Sequence, residues 1–198
     1  MLDCGDGGVS MQPRLWALAR AARAWAHVRE AVVGAGNLTL AFDRRAVSYD
    51  ALLAQLQRAW PHARDDAPSA RTIEIPVRYG GDGGMDLGAV ARARNLRESD
   101  VVERHAASEF VVAFVGFQPG FAYLDGLDAR LHLPRRAEPR VRVPAGSVAI
   151  AGMQSAVYPF DSPGGWHIIG RTALRMFDPQ REPAALLQPG DRVRFVPQ

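Results

Sequence analysis

From Glu109 to Val196 the chain is a succession of short β-type runs, EFVVAFV, VRV, SVAIA, SAVYP, WHIIGR and RVRFV, broken by turns rich in glycine and proline. Strands this short, punctuated this often, point to a closed or sandwiched β domain. Two helical stretches come just before them. DLGAVARARNL starts at Asp86, which is placed to cap it, and DVVERHA follows Ser99 and carries His105. Both are short enough to plug the ends of a barrel. LQPGDRVRFVP turns tightly at Pro-Gly-Asp into the last strand.

The first part of the chain has a different rhythm. Leu2 to Cys4 reads as the tail of a strand, ended by Gly5, Asp6, Gly7 and Gly8. Pro13 opens a helix running to about Trp25, with Leu15, Leu18, Ala22 and Trp25 on one face. VREAVV and LTLAF are strands joined by the turn GAGN, and Ser48 caps a second helix that runs through Trp60 and stops at Pro61. TIEIPVRY (72–79) alternates again and completes the order βαββαβ, the ferredoxin-like pattern. Trp16, Trp25 and Trp60 fall on apolar helical stripes and read as core. The polar link HARDDAPSAR places a boundary near Asp65 to Ala70, giving domains 1–70 and 71–198. The class is α+β.

Two segments combine glycine and proline with large aromatic residues. GFQPGFAYLDGL carries Phe117, Pro119, Phe121 and Tyr123; SPGGWHIIGRT carries Trp166, Arg171 and Thr172, with Tyr158 and Phe160 just ahead of it. Constrained backbone beside aromatic walls reads as a binding surface, and tight barrel corners are the alternative. Pro144 stiffens a third turn. Arg130, Arg135, Arg136, Arg140 and Arg142 crowd the same region, either as a solvated loop or as an anion-binding group.

Lysine is missing altogether, so all 24 cations counted as Lys and Arg are arginine. A lysine-dependent phosphate loop, a Schiff base and a covalently attached biotin are therefore excluded from this chain, and anions must be held by arginine forks or backbone N–H groups. The glycine-rich loop GGDGG (80–84), flanked by Asp82 and Asp86, reads better as a hinge than as a phosphate loop. Net charge of +3, with arginines scattered over helices, gives no nucleic-acid signature. No apolar run reaches membrane-spanning length and the start has no leader pattern, so the expected location is cytoplasmic. Cys4, the single cysteine, excludes an intrachain disulfide, and no histidine spacing suits a metal. Neither GxSxG nor HExxH occurs.

The polar residues left on constrained frames are the candidates for chemistry. His105 lies at a helix end ahead of the GFQPGF turn, either structural or an acid/base or substrate contact at the barrel rim. Arg140, Tyr158 and Arg171 complete the catalytic candidates. Phe117, Pro119, Phe121, Tyr123, Pro144, Trp166 and Thr172 would line a site for a small amide or carboxylate.

The motifs EIPVRYGGDGGMDL, GFQPGFAYLDGL, LPRRAEPRVRVPAGSVAIAG, YPFDSPGGWHIIGRT, MFDP and PGDRVRF occur in this order from about Ile73 to Phe195, with His105 among them. In them the chain resembles the family of the 5-oxoprolinase component PxpB, also called KipI or allophanate hydrolase subunit 1. Asp125 stands where that family usually has glycine, and Ser155-Ala156 where it usually has Thr-Gly. The family commonly shows a fuller first strand before the position of Met1. The resemblance implies an N-terminal α/β domain followed by a cyclophilin-like β-barrel, half of a carboxyltransferase-type module. It also implies a non-autonomous subunit of an ATP-dependent 5-oxoprolinase, working with a larger PxpC-like subunit (allophanate hydrolase subunit 2) and a PxpA-like subunit on a lactam or small amide. ATP would be held largely by or with the partner, since this chain has no nucleotide fingerprint. An inhibitor of a sensor histidine kinase, or the matching subunit of a urea- or allophanate-type enzyme, are the alternatives that share these motifs.

Overall fold

The computed structural model describes residues 2–3, 11–64 and 71–198, which fall into two compact units, Met1–Ala70 and Arg71–Gln198. In the first unit β1 (Leu2–Asp3), β2 (Val28–Gly34) and β3 (Asn37–Phe42) form an antiparallel sheet in the order β1-β3-β2. Helix α1 (Gln12–Arg23) begins at a proline and buries Leu15, Leu18 and Ala22. Helix α2 (Tyr49–Ala59) is capped by the Ser48 hydroxyl, which accepts the Ala51 N–H at 3.2 Å, and Pro61 turns its end into a short 3₁₀ segment. The Arg14 guanidinium lies 4.2 Å from the Trp60 ring centre and bonds the Trp60 and Ala63 carbonyls, tying the two helix ends together. Cys4 and the link 65–70 lie outside the described residues.

The strand expected to complete βαββαβ does not do so. β4 (Thr72–Tyr79) runs parallel to β12 (Arg192–Pro197), register Ile75 to Phe195, and antiparallel to β11 (His167–Arg171). It buries Ile75 and Val77 completely, and its pairing partners all lie in the second unit. There β5 (Phe110–Val115), β6 (Ala122–Asp125), β8 (Ser147–Ala151) and β9 (Gln154–Val157) close the barrel β11-β4-β12-β5-β6-β9-β8. A two-stranded ribbon, β7 (Arg140–Val143) with β10 (Ser162–Gly164), stands apart from it. Two of these strands are departures from the sequence reading. AYLD is a barrel strand inside the segment read as a loop, and SPG is the second strand of the ribbon. Both are too short to show a period of two.

Because successive strand residues face opposite sides, the wall has two faces. Leu124, Val148, Ile150, Val157, Ile169, Val193 and Phe195 point inward, where Leu87, Val90 and Ala91 of α3 (Leu87–Arg94) and Val101 of α4 (Glu98–Ala107) join them in one cluster. At roughly 1.5–3 kcal/mol for each large apolar side chain removed from water, that cluster is the main stabiliser of the unit. No helix among the described residues is long and apolar enough to cross a membrane.

Candidate functional site

Outward residues of these strands, with aromatic residues that flank them and one residue of the ribbon, build a second layer. Phe121, Val143, Ala149, Ala151, Ala156, Tyr158, Trp166 and Ile168 form a buried cluster, with Tyr123 packed against it. The alanines at 149, 151 and 156 leave room for the rings. Phe121 sits edge-on to Tyr158 at 5.2 Å and to Trp166 at 5.9 Å, the arrangement that aromatic quadrupoles favour. The ribbon lies against this layer. Val143 belongs to it, and a Cβ added to Gly164 would overlap the Tyr158 hydroxyl. Burial pushes the Tyr158 phenol above its ordinary pKa, so it stays neutral. At the edge of the layer Phe117 is 63% exposed and holds a φ of 68°, while its ring meets Phe121 edge-on. Pro119 is exposed beside it on the same turn.

Asp86 ties the ribbon down. Its side chain does not cap α3. Instead its carboxylate accepts two bonds from Arg140, 2.9 and 2.7 Å, one from Arg136 at 3.2 Å, and the Ile168 N–H at 2.8 Å. Burial alone would raise the carboxyl. The Arg140 bonds, the Ile168 N–H and the charges of both arginines outweigh it and hold Asp86 below the usual carboxylate range. The arginine-rich stretch is thus largely paired within the chain: Arg142 bonds Asp161, and Arg135 lies 5.9 Å from the Trp166 ring centre. Arg140 uses its fork on Asp86 rather than presenting it to a ligand.

His105 is also displaced from its expected place. It is wholly buried in the barrel interior instead of standing at the rim, packed 4.5 Å from the Phe195 ring and 5.1 Å from the Phe110 ring. The last turn of α4 points inward, and its apolar surroundings accept an imidazole only because both nitrogens find partners. Tyr79 Oη is 2.7 Å from Nδ1 and Ser155 Oγ is 2.9 Å from Nε2. Ser155 donates its own proton to the Ala149 carbonyl, so Oγ accepts from Nε2–H and Nδ1 accepts from the tyrosine. Burial lowers the His105 pKa to about 3 and raises that of Tyr79, so both are neutral. The Ser155 hydroxyl supplies the acceptor this arrangement needs.

Arg171 and Thr172 stand apart from the aromatic layer, on an open cleft of about 1020 Å³ that Arg78, Phe160 and Phe177 also line. Pro144 enters the turn beside it, where Ala145 and Gly146 reach the cleft. The predicted site residues therefore divide among three places: a core network, an aromatic layer with its clamp, and a cleft. Among the described residues no group of three or more His, Cys, Asp or Glu is placed to hold a metal ion.

Residues 6–187 match the family described as carboxyltransferase domain, subdomain C and D. The chain belongs to this family. A 5-oxoprolinase B subunit of Escherichia coli O157:H7 is 50% identical over 191 residues, 96% of this chain and 87% of that protein. A 5-oxoprolinase B subunit of Haemophilus influenzae is 42% identical over 95% of this chain and 88% of its own length. The crystal structure of TTHA0988 matches all of this chain with a TM-score of 0.86 at 41% identity, the chain covering 39% of that longer one. For a carboxyltransferase C and D chain, two features above escape a reading of the sequence. Asp86, the clamp, reads as a cap because it directly precedes a helix; the signal available is its place in a run that ends in GGMDL, in a chain with five crowded arginines. Phe160 reads as part of the aromatic surface of the second Gly/Pro segment, whereas Phe177 carries no signal for the cleft, being brought to it from a separate turn.

Proposed function

We infer that this chain is the B-type subunit of an ATP-dependent 5-oxoprolinase, in which the lactam is opened by water, with hydrolysis of ATP, to give glutamate. The similarity to the two 5-oxoprolinase B subunits, running over nearly the whole chain, carries this reading. The geometry supports a subunit that works only with partners, a larger PxpC-like chain and a PxpA-like chain. Two of the polar groups that look catalytic in sequence are engaged in internal bonds: His105 with Tyr79 and Ser155, Arg140 with Asp86. What faces solvent is the Phe117–Pro119 turn, backed by Phe121, Tyr123 and Trp166, and the cleft with Arg171, where Thr172 is buried in the lining. Phe117 and Pro119 contact the partner or the lactam it holds; Arg140 and Tyr158 are positioning residues that seat the ribbon behind them. On this reading the barrel is cyclophilin-like and the first unit is a ferredoxin-like domain shortened to βαββα.

The test is co-expression with the partner subunits, followed by measurement of glutamate and phosphate released from 5-oxoproline and ATP. The assembled complex is expected to turn over and the isolated chain to release nothing. An inactive complex, or glutamate from the chain alone, overturns the reading.

A further inference from the structure

The cleft that holds Arg171 is lined by two unlike sets of residues. One is cationic: the side chains of Arg78 and Arg171 have no hydrogen-bond or ion-pair partner among the described residues, and Asp82 is the one acid among the lining side chains. Asp161, the nearby acid, feels the Arg171 charge but is already engaged by Arg142 and by the Ala145 N–H. The base of Arg171 passes close to two glycines. A Cβ on Gly83 would come within 3.0 Å of the Arg171 Cβ, and one on Gly146 within 3.6 Å of its Cγ. Larger residues at these two glycines would crowd the base of Arg171, whose guanidinium fork stays open. The Gly81–Gly83 stretch, expected to be a hinge, is a short 3₁₀ turn that also lines the cleft.

The other set is apolar. Phe160 is 41% exposed and Leu174 37%, and the rings of Phe160 and Phe177 lie 5.9 Å apart, tilted by 59°. A partly exposed aromatic pair in the same cleft as unpaired arginines matches a ligand that carries both an anionic group and a flat apolar one. In a chain without lysine, arginine forks are the available cationic partners for phosphate oxygens. The volume, about 1020 Å³, suits a nucleotide.

We propose that this cleft binds the nucleoside triphosphate, with Arg78 and Arg171 on the phosphates and Phe160 and Phe177 against the base. The proposal rests on the ATP dependence inferred above and moves part of the nucleotide site from the partner onto this chain.

The test is equilibrium binding of ATP and of inorganic tripolyphosphate to the full chain, alone and joined to its partner subunits. Arg78→Ala with Arg171→Ala is expected to weaken both ligands by about 100-fold, and Arg171→Lys, which keeps the charge without the fork, by about tenfold. Phe160→Ala is expected to weaken ATP about fivefold and leave tripolyphosphate unchanged. All these side chains are exposed or at the surface, and unchanged melting temperatures confirm that the variants fold. ATP bound by the double variant as tightly as by the parent overturns the proposal, as does no ATP binding by the parent in either form. Loss of subunit assembly with ATP affinity intact also overturns it, making the cleft a dock for an acidic segment of the partner. The binding readout is independent of 5-oxoproline. A complex that opens the lactam while the double variant holds ATP normally removes this site alone; lost ATP binding in a complex inactive on 5-oxoproline removes the substrate reading alone.

Discussion

On the inner side of the barrel wall, His105 is satisfied by two neutral hydroxyls and packed between phenylalanines. On the outer side, Asp86 is satisfied by two arginines and a backbone N–H, and what it holds is a ribbon. Both are buried polar groups with full sets of partners. They differ in whether charge is buried. The inner group avoids the cost of a buried ion by staying neutral. The outer group keeps its charge because Arg140 and Arg136, a fifth and a third exposed, remain partly hydrated while bonding it. A closed neutral chain of hydrogen bonds has nothing left to offer a ligand. An ionic clamp of this kind, by contrast, fixes the ribbon through arginines that stay partly hydrated.

The largest effect is expected at the clamp. Asp86→Ala leaves two partly buried guanidinium groups and the Ile168 N–H without their acceptor, and should cost about 3–5 kcal/mol in denaturant unfolding. Arg140→Lys keeps the charge but loses the two-pronged bond, and should cost about 1–2 kcal/mol. If Arg140→Lys instead abolished activity in the complex at unchanged stability, Arg140 would be a ligand group and not a brace.

The inner group separates itself by pH. The folded pKa of His105, about 3, lies below the ordinary imidazole value of 6.5, so the unfolded chain binds the proton first. Its contribution is complete above pH 6.5 and is lost as pH falls toward 3, at up to about 1.4 kcal/mol per pH unit. Asp86, with its pKa lowered from 3.8, loses its contribution only below that value. Unfolding free energies between about pH 4 and 7 should therefore slope in the parent and flatten in His105→Gln. An equal slope in both would assign the effect to other groups.

Much of this is legible in the sequence, and the failures have physical causes. The chain's short β runs announce a barrel because turns are local, and Ser48, Pro13 and Pro61 act on their own helices within one turn. Which side of a wall a residue faces is not local. Tyr123 and Leu124 are neighbours in a motif, yet one joins the outer aromatic layer and the other the core. TIEIPVRY alternates well enough for either unit; its partner β12 lies more than a hundred residues downstream. His105 reads as a rim residue because it precedes a loop motif, whereas the last turn of its helix points it into the barrel.

The ribbon gives a smaller test of the outer layer. Gly164 lies so near the Tyr158 hydroxyl that Gly164→Ala must move the ring or the strand, at about 1–3 kcal/mol. Tyr158→Phe removes the nearest obstructing atom but leaves the ring carbon Cζ 2.8 Å from the added β-carbon, so the double variant should recover only part of that loss. Loss in the double variant as large as in Gly164→Ala would show that the strand and not the hydroxyl is the obstacle.

The smallest effect on stability is expected at Phe117, and it sharpens the contrast most. A β-carbon at φ 68° is crowded by its own backbone, and holding a residue other than glycine there costs about 1 kcal/mol. Such a cost at a loop tip whose ring is 63% exposed is not offset by burial in the chain. Phe117→Ala keeps the strained β-carbon and loses the edge-on contact with Phe121; Phe117→Gly loses the same contact and relieves the strain. Phe117→Gly should therefore be the more stable of the two by about 1 kcal/mol, close to the parent. If the ring serves the partner or the lactam, both variants lose complex activity to the same degree despite that difference, because activity follows the ring and stability follows the backbone. Activity that tracks stability across parent, alanine and glycine would reduce Phe117 to a turn residue and leave the arginine cleft as the functional part of this surface.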